Sequence, residues 1–400
     1  MDSRLRGNDM NLGDTMKQLL KFSIFLLTII LLVSCSSITP TDKLPGNYSN
    51  LRETWASQIN TDPKIWMKNA DHWFLTGEWN ADEQRVIHEV RTIPVSAFRQ
   101  IEIAGNFKVE ILGGQKENCI IIYGPKSEAN QVIVNKYPDR IIVRQAAEGS
   151  LPKIIVRIGV KNLSNLTHSG NGLIVGRDIE SSKLTVNSHA LGSTYLSGHM
   201  NLREVNNMGD GTITLMGVES PSVYLKVIGA GNVNLYGNIG IQNIIHNGNG
   251  CVQIIGANSK ALSIYAYGDG LTTVAGLVKL RAVTACNNSR VLVNCARSHE
   301  ISVIERNTAF VGIAGVTNIV NVDIADHACF QGGRLVAHDA YVRALGFSEA
   351  NVGADRKIFA EGRDFSRIYY FGDTNVSAFP SKDARILRLG AFMPQGVCQK

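Results

Sequence analysis

Charge, aromatic side chains and proline are all scarce in this 400-residue chain. Only 18% of residues are charged and 7% aromatic while 44% are hydrophobic, and there are 10 prolines against 38 glycines. An apolar chain with few helix-favouring charges and many glycines and asparagines points to an all-β or repeat architecture with many tight turns. The net charge is only +6, and its lysines and arginines are scattered. That leaves no basic stripe of the kind that binds nucleic acid. No CxxC or zinc spacing is present. No GxGxxG or P-loop stands between a strand and a helix. The longest apolar run, Phe22 to Val33, is shorter than the roughly 20 residues that a membrane-spanning helix needs.

That run is informative in another way. Lys17 and Lys21 precede it, and Leu32-Val33-Ser34-Cys35 follows. A positive segment, a short apolar segment and a cleavage site make a secretory signal. Leu-Val-Ser-Cys resembles the lipobox of bacterial lipoproteins, which implies that Cys35 is lipidated and becomes the first mature residue. Residues before Met16 fit no signal, so Met16 is the expected start. Ser36 follows the cysteine where an Asp would imply retention in the inner membrane, so the resemblance implies the outer membrane. Three acyl groups on Cys35 would anchor the chain firmly, because one alone binds membranes only marginally. Whether the protein faces the surface or the periplasm is left open by the sequence. Most of the six other cysteines, Cys119, Cys251, Cys286, Cys295, Cys329 and Cys398, read as small core residues, without a disulfide framework.

The chain divides by composition. Residues 1–34 are the signal peptide and 35–46 a tether. Residues 47–90 hold all four tryptophans, Trp55, Trp66, Trp73 and Trp79; Leu51, Trp55 and Ile59 are spaced by four, and Trp66, Ala70 and Trp73 by four and three, which predicts a small helical cap. Residues 91–160 alternate in period two, as in Ile101-Glu102-Ile103 and Phe107-Lys108-Val109, and predict the leading strands of a longer β structure.

Residues 161–385 are an internal repeat. Gly-x-Gly turns recur at Gly170 and Gly172, Gly209 and Gly211, Gly229 and Gly231, Gly248 and Gly250, and Gly268 and Gly270. Degenerate copies start in phase at Ala190, Asn287, Arg306, Asp326 and Gly346, always 19 or 20 residues from the last. Four positions after each start stands a mostly apolar column: Ile174, Thr194, Ile213, Val233, Val252, Thr272, Val291, Phe310, Phe330 and Ala350. A second column precedes each turn. Two short strands and two turns per copy cannot bury an apolar side alone. Stacking the copies pairs each strand in parallel with its counterpart and joins the columns into one core. The expected fold is therefore a single-chain parallel β-helix with rungs of about 20 residues, right-handed by the general rule for parallel crossovers. Ten rungs at about 4.8 Å give a rod of roughly 45 Å. The glycines thin out after Gly270, which predicts a less regular solenoid there. The segment from about Ile358 to Met393, with Tyr369, Tyr370 and Phe371, is expected to close the far end, and residues 386–400 read as a tail.

The run of Gly-Asn-Gly, Gly-Asp-Gly and Gly-Ala-Gly turns at this period, with the lead Ile93-Pro94-Val95-Ser96-Ala97-Phe98, resembles the bacterial head GIN domain family of auto-transporter adhesins, over roughly residues 90–385. The resemblance implies a parallel β-helix on an exported, often lipid-anchored protein, and it supplies no catalytic residues. A membrane barrel of the auto-transporter kind would need further amphipathic strands that the chain lacks.

Candidate sites are few. Rungs of constant length leave no room for the long loops that build a polysaccharide-cleaving cleft, and Asp210 and Asp269 lie three rungs apart, about 14 Å, too far for a glycosidase pair. No enzyme activity is expected. His168, His189, His246 and His327 lie near turn starts and read as exposed turn residues, not metal ligands. Calcium-type nonapeptide repeats have about half this period and a trailing Asp that is missing. No cofactor or metal is expected. The outward residues Thr212, Thr214, Tyr224 and Asn234 make a polar face suited to an extended partner, glycan or protein. The readings that remain are a lipid-anchored adhesion or binding module of the cell envelope and a periplasm-facing scaffold, with a polysaccharide enzyme as the weakest.

Overall fold

The computed structural model describes residues 89–391. The signal peptide, Cys35, the tether and the Trp-rich segment up to residue 88 lie outside the described residues. Within them a single helical turn interrupts an all-β chain. Short elements lead: β1 (Glu89–Pro94), β2 (Gln100–Ala104), β3 (Lys108–Leu112), β4 (Cys119–Tyr123), α1 (Lys126–Ala129), β5 (Val132–Lys136), β6 (Arg140–Gln145), β7 (Ile155–Gly159) and β8 (Asn165–Ser169). Ten long strands follow, each one rung: β9 (Leu173–Ser188), β10 (Thr194–Asn207), β11 (Ile213–Val227), β12 (Val233–His246), β13 (Cys251–Ala266), β14 (Leu271–Ala285), β15 (Arg290–Glu305), β16 (Phe310–Ile324), β17 (Cys329–Ala344) and β18 (Glu349–Gly362). The chain ends with β19 (Arg367–Phe371), β20 (Asn375–Pro380) and β21 (Arg385–Gly390).

Every long strand pairs in parallel with the next, giving a β-solenoid of about 12 turns with rungs of about 19 residues. The inner columns carry the core. Ile213, Val233, Val252, Val291, Val311, Phe330, Ala350 and Ile368 stand in one register and are all at most 1% exposed. A second column, Val205, Leu225, Ile244, Ile264, Val283, Val303 and Val322, is at most 3% exposed.

The leading strands do not simply extend the rod. β2 pairs in parallel with both β6 and β8, and β3 with both β7 and β9. The first rung is thus enclosed, and the chain loops back over it before descending. The end is then finished by antiparallel strands: β4 on β7, β1 on β4, and β5 on β6. Reversing direction ends the parallel register that another rung would need. On this end Glu110 is nearly buried, 2.6 Å from Arg157 Nε, and the Arg157 guanidinium lies over the Tyr123 ring. The trio ties β3, β7 and β4 together.

Several sequence expectations need correction. The residue inside rung β16 is Val311, fully buried, not Phe310, which lies outside under the Arg290 guanidinium. The turn before it falls one residue later than the spacing predicts: the positive-φ residue is Asn307, not Arg306. Because side chains alternate along a strand, a slip of one reverses every assignment. Val311→Ala is therefore expected to cost about 2 kcal/mol in equilibrium unfolding, and Phe310→Ala less than about 1. Equal costs would show the register to be wrong.

The solenoid is not less regular beyond Gly270. Pairing from β14 to β18 is as continuous as before. What changes is the turn. In the later rungs a four-residue turn closes with a backbone bond such as Ser289 N–H to Cys286 C=O or Ala328 N–H to Ala325 C=O, both 3.3 Å. Its second residue takes positive φ: Asn287, Asn307, Asp326, Gly346 and Asp364. Asn and Asp tolerate that conformation, so the glycine signature fades while the rung pairing remains. Nor does the segment from Ile358 close the far end. β19 pairs with β18, β20 with β18, and β21 with β19, so these residues add rungs that run to Gly390.

A second column of special backbone marks the corner in mid-rung: Asp178, Gly198, Gly217, Gly237, Gly256, Gly276, Cys295 and Gly315 all have positive φ. The values alternate. Gly198, Gly237, Gly276 and Gly315 lie between 137° and 149°, whereas Asp178, Gly217, Gly256 and Cys295 lie between 52° and 85°. The first set falls outside the left-handed region that other residues tolerate, and all four members are glycine. The repeat is thus a double rung of two alternating corners, which is why the spacing alternates between 19 and 20.

Candidate functional site

The glycines of the Gly-x-Gly turns serve packing. A Cβ on Gly209, Gly229, Gly248 or Gly268 would stand 2.0–2.2 Å from a carbonyl oxygen of the rung before. Gly170 alone among the ten turn glycines has positive φ. The second glycine of a turn also makes room for what lies beneath. A Cβ on Gly270 would meet the His246 ring at 2.4 Å, and one on Gly231 the Asn207 amide at 2.7 Å.

Those two side chains belong to an inner column of mixed polarity. His168, Ser188, Asn207, Val227, His246, Ala266, Ala285 and Glu305 follow one another in register, all at most 1% exposed. Asn207 braces the turn above it, its amide donating to the Gly211 C=O at 3.0 Å while its oxygen accepts from the Gly209 N–H. His168 Nδ1 lies 2.9 Å from the Thr194 hydroxyl, and His246 Nδ1 lies 2.9 Å from that of Thr272. Each pair links one rung to the next, and the two pairs repeat after two double rungs. Nε2 of both rings has no partner. Burial pushes the His168 pKa down to about 4 and lowers that of His246 as well. The expectation of exposed turn histidines thus holds for His189 and His327 and fails for His168 and His246. They point inward because strand alternation, not closeness to the turn, decides the face.

Among the described residues no cluster of three or more metal-ligating side chains exists. No helix among them is long and apolar enough to cross a membrane. Cys295 is disulfide-bonded, whereas Cys119, Cys251, Cys286 and Cys329 are not.

The outer surface is uneven. Of the outward residues singled out in the middle rungs, Thr214 is only 8% exposed and takes a bond from the Asn234 amide. The open aromatic surface lies farther along, in β17 to β20. The rings of His327, Phe347 and Phe365 stack nearly parallel on successive turns, centroids 5.1 Å apart, with Phe347 and Phe365 62% and 55% exposed. Along the strands Tyr341, Phe359 and Phe379 form a second ladder, at 6.5 and 5.0 Å. Rung stacking accounts for the first ladder and for Tyr341 beside Phe359, since residues in register meet at the β-sheet spacing, whereas Phe379 lies two residues beyond Ser377, the register partner of Phe359.

Beside the second ladder is an open groove of about 490 Å³, lined by Asp339, Tyr341, Arg356, Lys357, Asn375, Val376 and Ser377. Arg356 grips the largely buried Asp339 carboxylate through Nε at 2.8 Å and through a second nitrogen. That hydrogen bond holds the Asp339 carboxyl below the usual carboxylate range. Lys357 forms no salt bridge, and its ammonium lies 5.8 Å from the Tyr341 ring centroid. The groove could not be read from the sequence: nothing at residues 339–377 repeats a recognisable motif, and only the rung register brings Asp339, Lys357 and Asn375 side by side.

Residues 97–287 match the family model described as "Putative auto-transporter adhesin, head GIN domain". The head GIN resemblance holds over that stretch. The same rungs continue past its end in unbroken register, so the head GIN match stops before the aromatic surface begins. No curated protein matches the chain. Among solved structures, a "putative adhesin" from Parabacteroides merdae is 11% identical, covering 76% of this chain and 95% of its own with a TM-score of 0.30. A "putative adhesin" from Bacteroides fragilis is 13% identical over 76% and 96%, TM-score 0.25. A "Putative lipid binding protein" from Parabacteroides distasonis is 13% identical over 75% and 96%, TM-score 0.23.

Proposed function

We propose that the protein is an adhesion-like binding module of the cell envelope, tethered by lipid on Cys35 in the outer membrane, that engages an extended partner through its C-terminal rungs and performs no catalysis. The observation that carries this reading is the placement of its exposed aromatics. Tyr341, Phe347, Phe365 and Phe379 are each more than a third exposed and fall within about two rungs of one another along the chain. A soluble protein seldom leaves such rings in water unless they meet a partner. A rod of stacked rungs holds them rigidly, so little ordering entropy opposes binding. The head GIN description, which names adhesins, supports the same reading.

Protease shaving of intact cells expressing the tagged chain tests the placement. The solenoid is expected to be lost from intact cells, and the Cys35→Ala form to leave the membrane fraction. Protection until the outer membrane is opened would instead favour a periplasmic scaffold. Attachment of these cells to polysaccharide-coated surfaces is expected to fall to background with Phe347→Ser/Phe365→Ser; attachment unchanged would remove the aromatic surface from the argument.

A further inference from the structure

We infer that the groove between the last rungs binds an acidic glycan, with Lys357 receiving a carboxylate or sulfate group and Asn375, Ser377 and Tyr341 the neighbouring hydroxyls. The inference rests on the binding reading above and names the ligand class. Its first support is charge. Of the three ionised groups lining the groove, Asp339 is spent on Arg356, which leaves the Lys357 ammonium uncompensated by any salt bridge. A positive charge next to hydrogen-bond donors selects an anion.

The second support is the scarcity of apolar lining. Val376 is the only aliphatic side chain and Tyr341 the only ring. A peptide is usually held by an anchor side chain in an apolar pocket, which this groove does not offer. A sugar needs the opposite, a shallow channel rich in groups that bond hydroxyls. The third support is geometry. Asp339, Lys357 and Asn375 stand on successive rungs in one register. Groups spaced by the rung repeat meet a polymer that presents one sugar per similar rise, with its chain along the rod.

Calorimetric titration of the full chain with oligogalacturonate, a neutral cello-oligosaccharide and poly-glutamate separates the possibilities. Oligogalacturonate is expected to bind, to weaken at higher salt, and to bind roughly tenfold more weakly to Lys357→Glu, the scale of one charge-assisted hydrogen bond. Lys260→Glu, an exposed lysine on a distant rung, should leave it unchanged. Equal binding of acidic and neutral sugars, indifference to Lys357→Glu, or preference for poly-glutamate would each overturn the inference. Cell attachment that persists in Lys357→Glu and is lost in the phenylalanine double variant would refute this ligand while leaving the binding module intact.

Discussion

Acidifying the protein from pH 7 to pH 4 is expected to lower its unfolding free energy by about 3 kcal/mol through His168 alone. The folded pKa is about 4, against an ordinary value of 6.5, and each unit corresponds to about 1.4 kcal/mol. Burial keeps the folded ring neutral, so between these two values the unfolded chain binds a proton that the folded chain refuses. Stability is then fully present above pH 6.5, falls as pH drops toward 4 and levels off below it. His246 shifts in the same direction and adds to the loss. Glu349 opposes it, since burial raises its pKa. Asp139 and Asp339, lowered from 3.8 by their arginine partners, act only below this window. A proton on His168 would also leave Nε2–H buried without an acceptor, because only Thr194 is within reach, at Nδ1. Denaturant titrations at pH 7, 5.5 and 4 read the effect. The His168→Gln/His246→Gln form keeps an amide near each threonine and carries no titrating ring. Its stability should change far less over this range, and a double variant that loses as much as the wild type would sink the argument.

How far the fold was legible follows from which positions obey a rule that sequence displays. The solenoid was legible because the turn glycines must approach the carbonyls of the rung below, a demand that strongly favours glycine and so prints a period. The late rungs were less legible because Asn287, Asn307 and Asp326 meet their turn with a conformation that several residues adopt. The same looseness produced the one-residue slip at Phe310. The mid-rung corner was present in the sequence as Gly198, Gly217, Gly237, Gly256 and Gly276, yet it was hidden by the stronger turn signal and broken by Asp178 and Cys295. The capped first rung was not legible at all. Nothing local in β2 shows that β6, some 40 residues later in the chain, packs on its open side. The buried histidines and the groove share that reason: both depend on what neighbouring rungs place beside a residue, and the repeat fixes only where the rungs run.

Replacing Gly237 with alanine is expected to destabilise the solenoid by about 4 kcal/mol, far more than a change of one methyl group suggests. Two costs coincide there. Its φ of 149° lies where an L side chain is strained, which costs on the order of 1–3 kcal/mol. A Cβ would also stand 2.0 Å from the Val218 carbonyl oxygen and 2.7 Å from its nitrogen. Backbone atoms in a paired strand cannot turn aside as a flexible side chain would, so the rungs must separate locally, at a cost of about 1–3 kcal/mol more. Gly149 separates the two terms. Its φ of 128° carries comparable strain, but nothing lies within 4 Å of its Cβ position. Gly149→Ala should therefore cost only about 1–2 kcal/mol. Because each rung holds only its neighbours, the damage at Gly237 should be local. Hydrogen exchange is expected to rise in β11, β12 and β13 and to stay near wild-type rates in β16 and β17. Equal costs at the two glycines would mean that the close approach of successive corners does not hold the rod together, and uniform exchange along the chain would mean that the solenoid unfolds as one unit and not rung by rung.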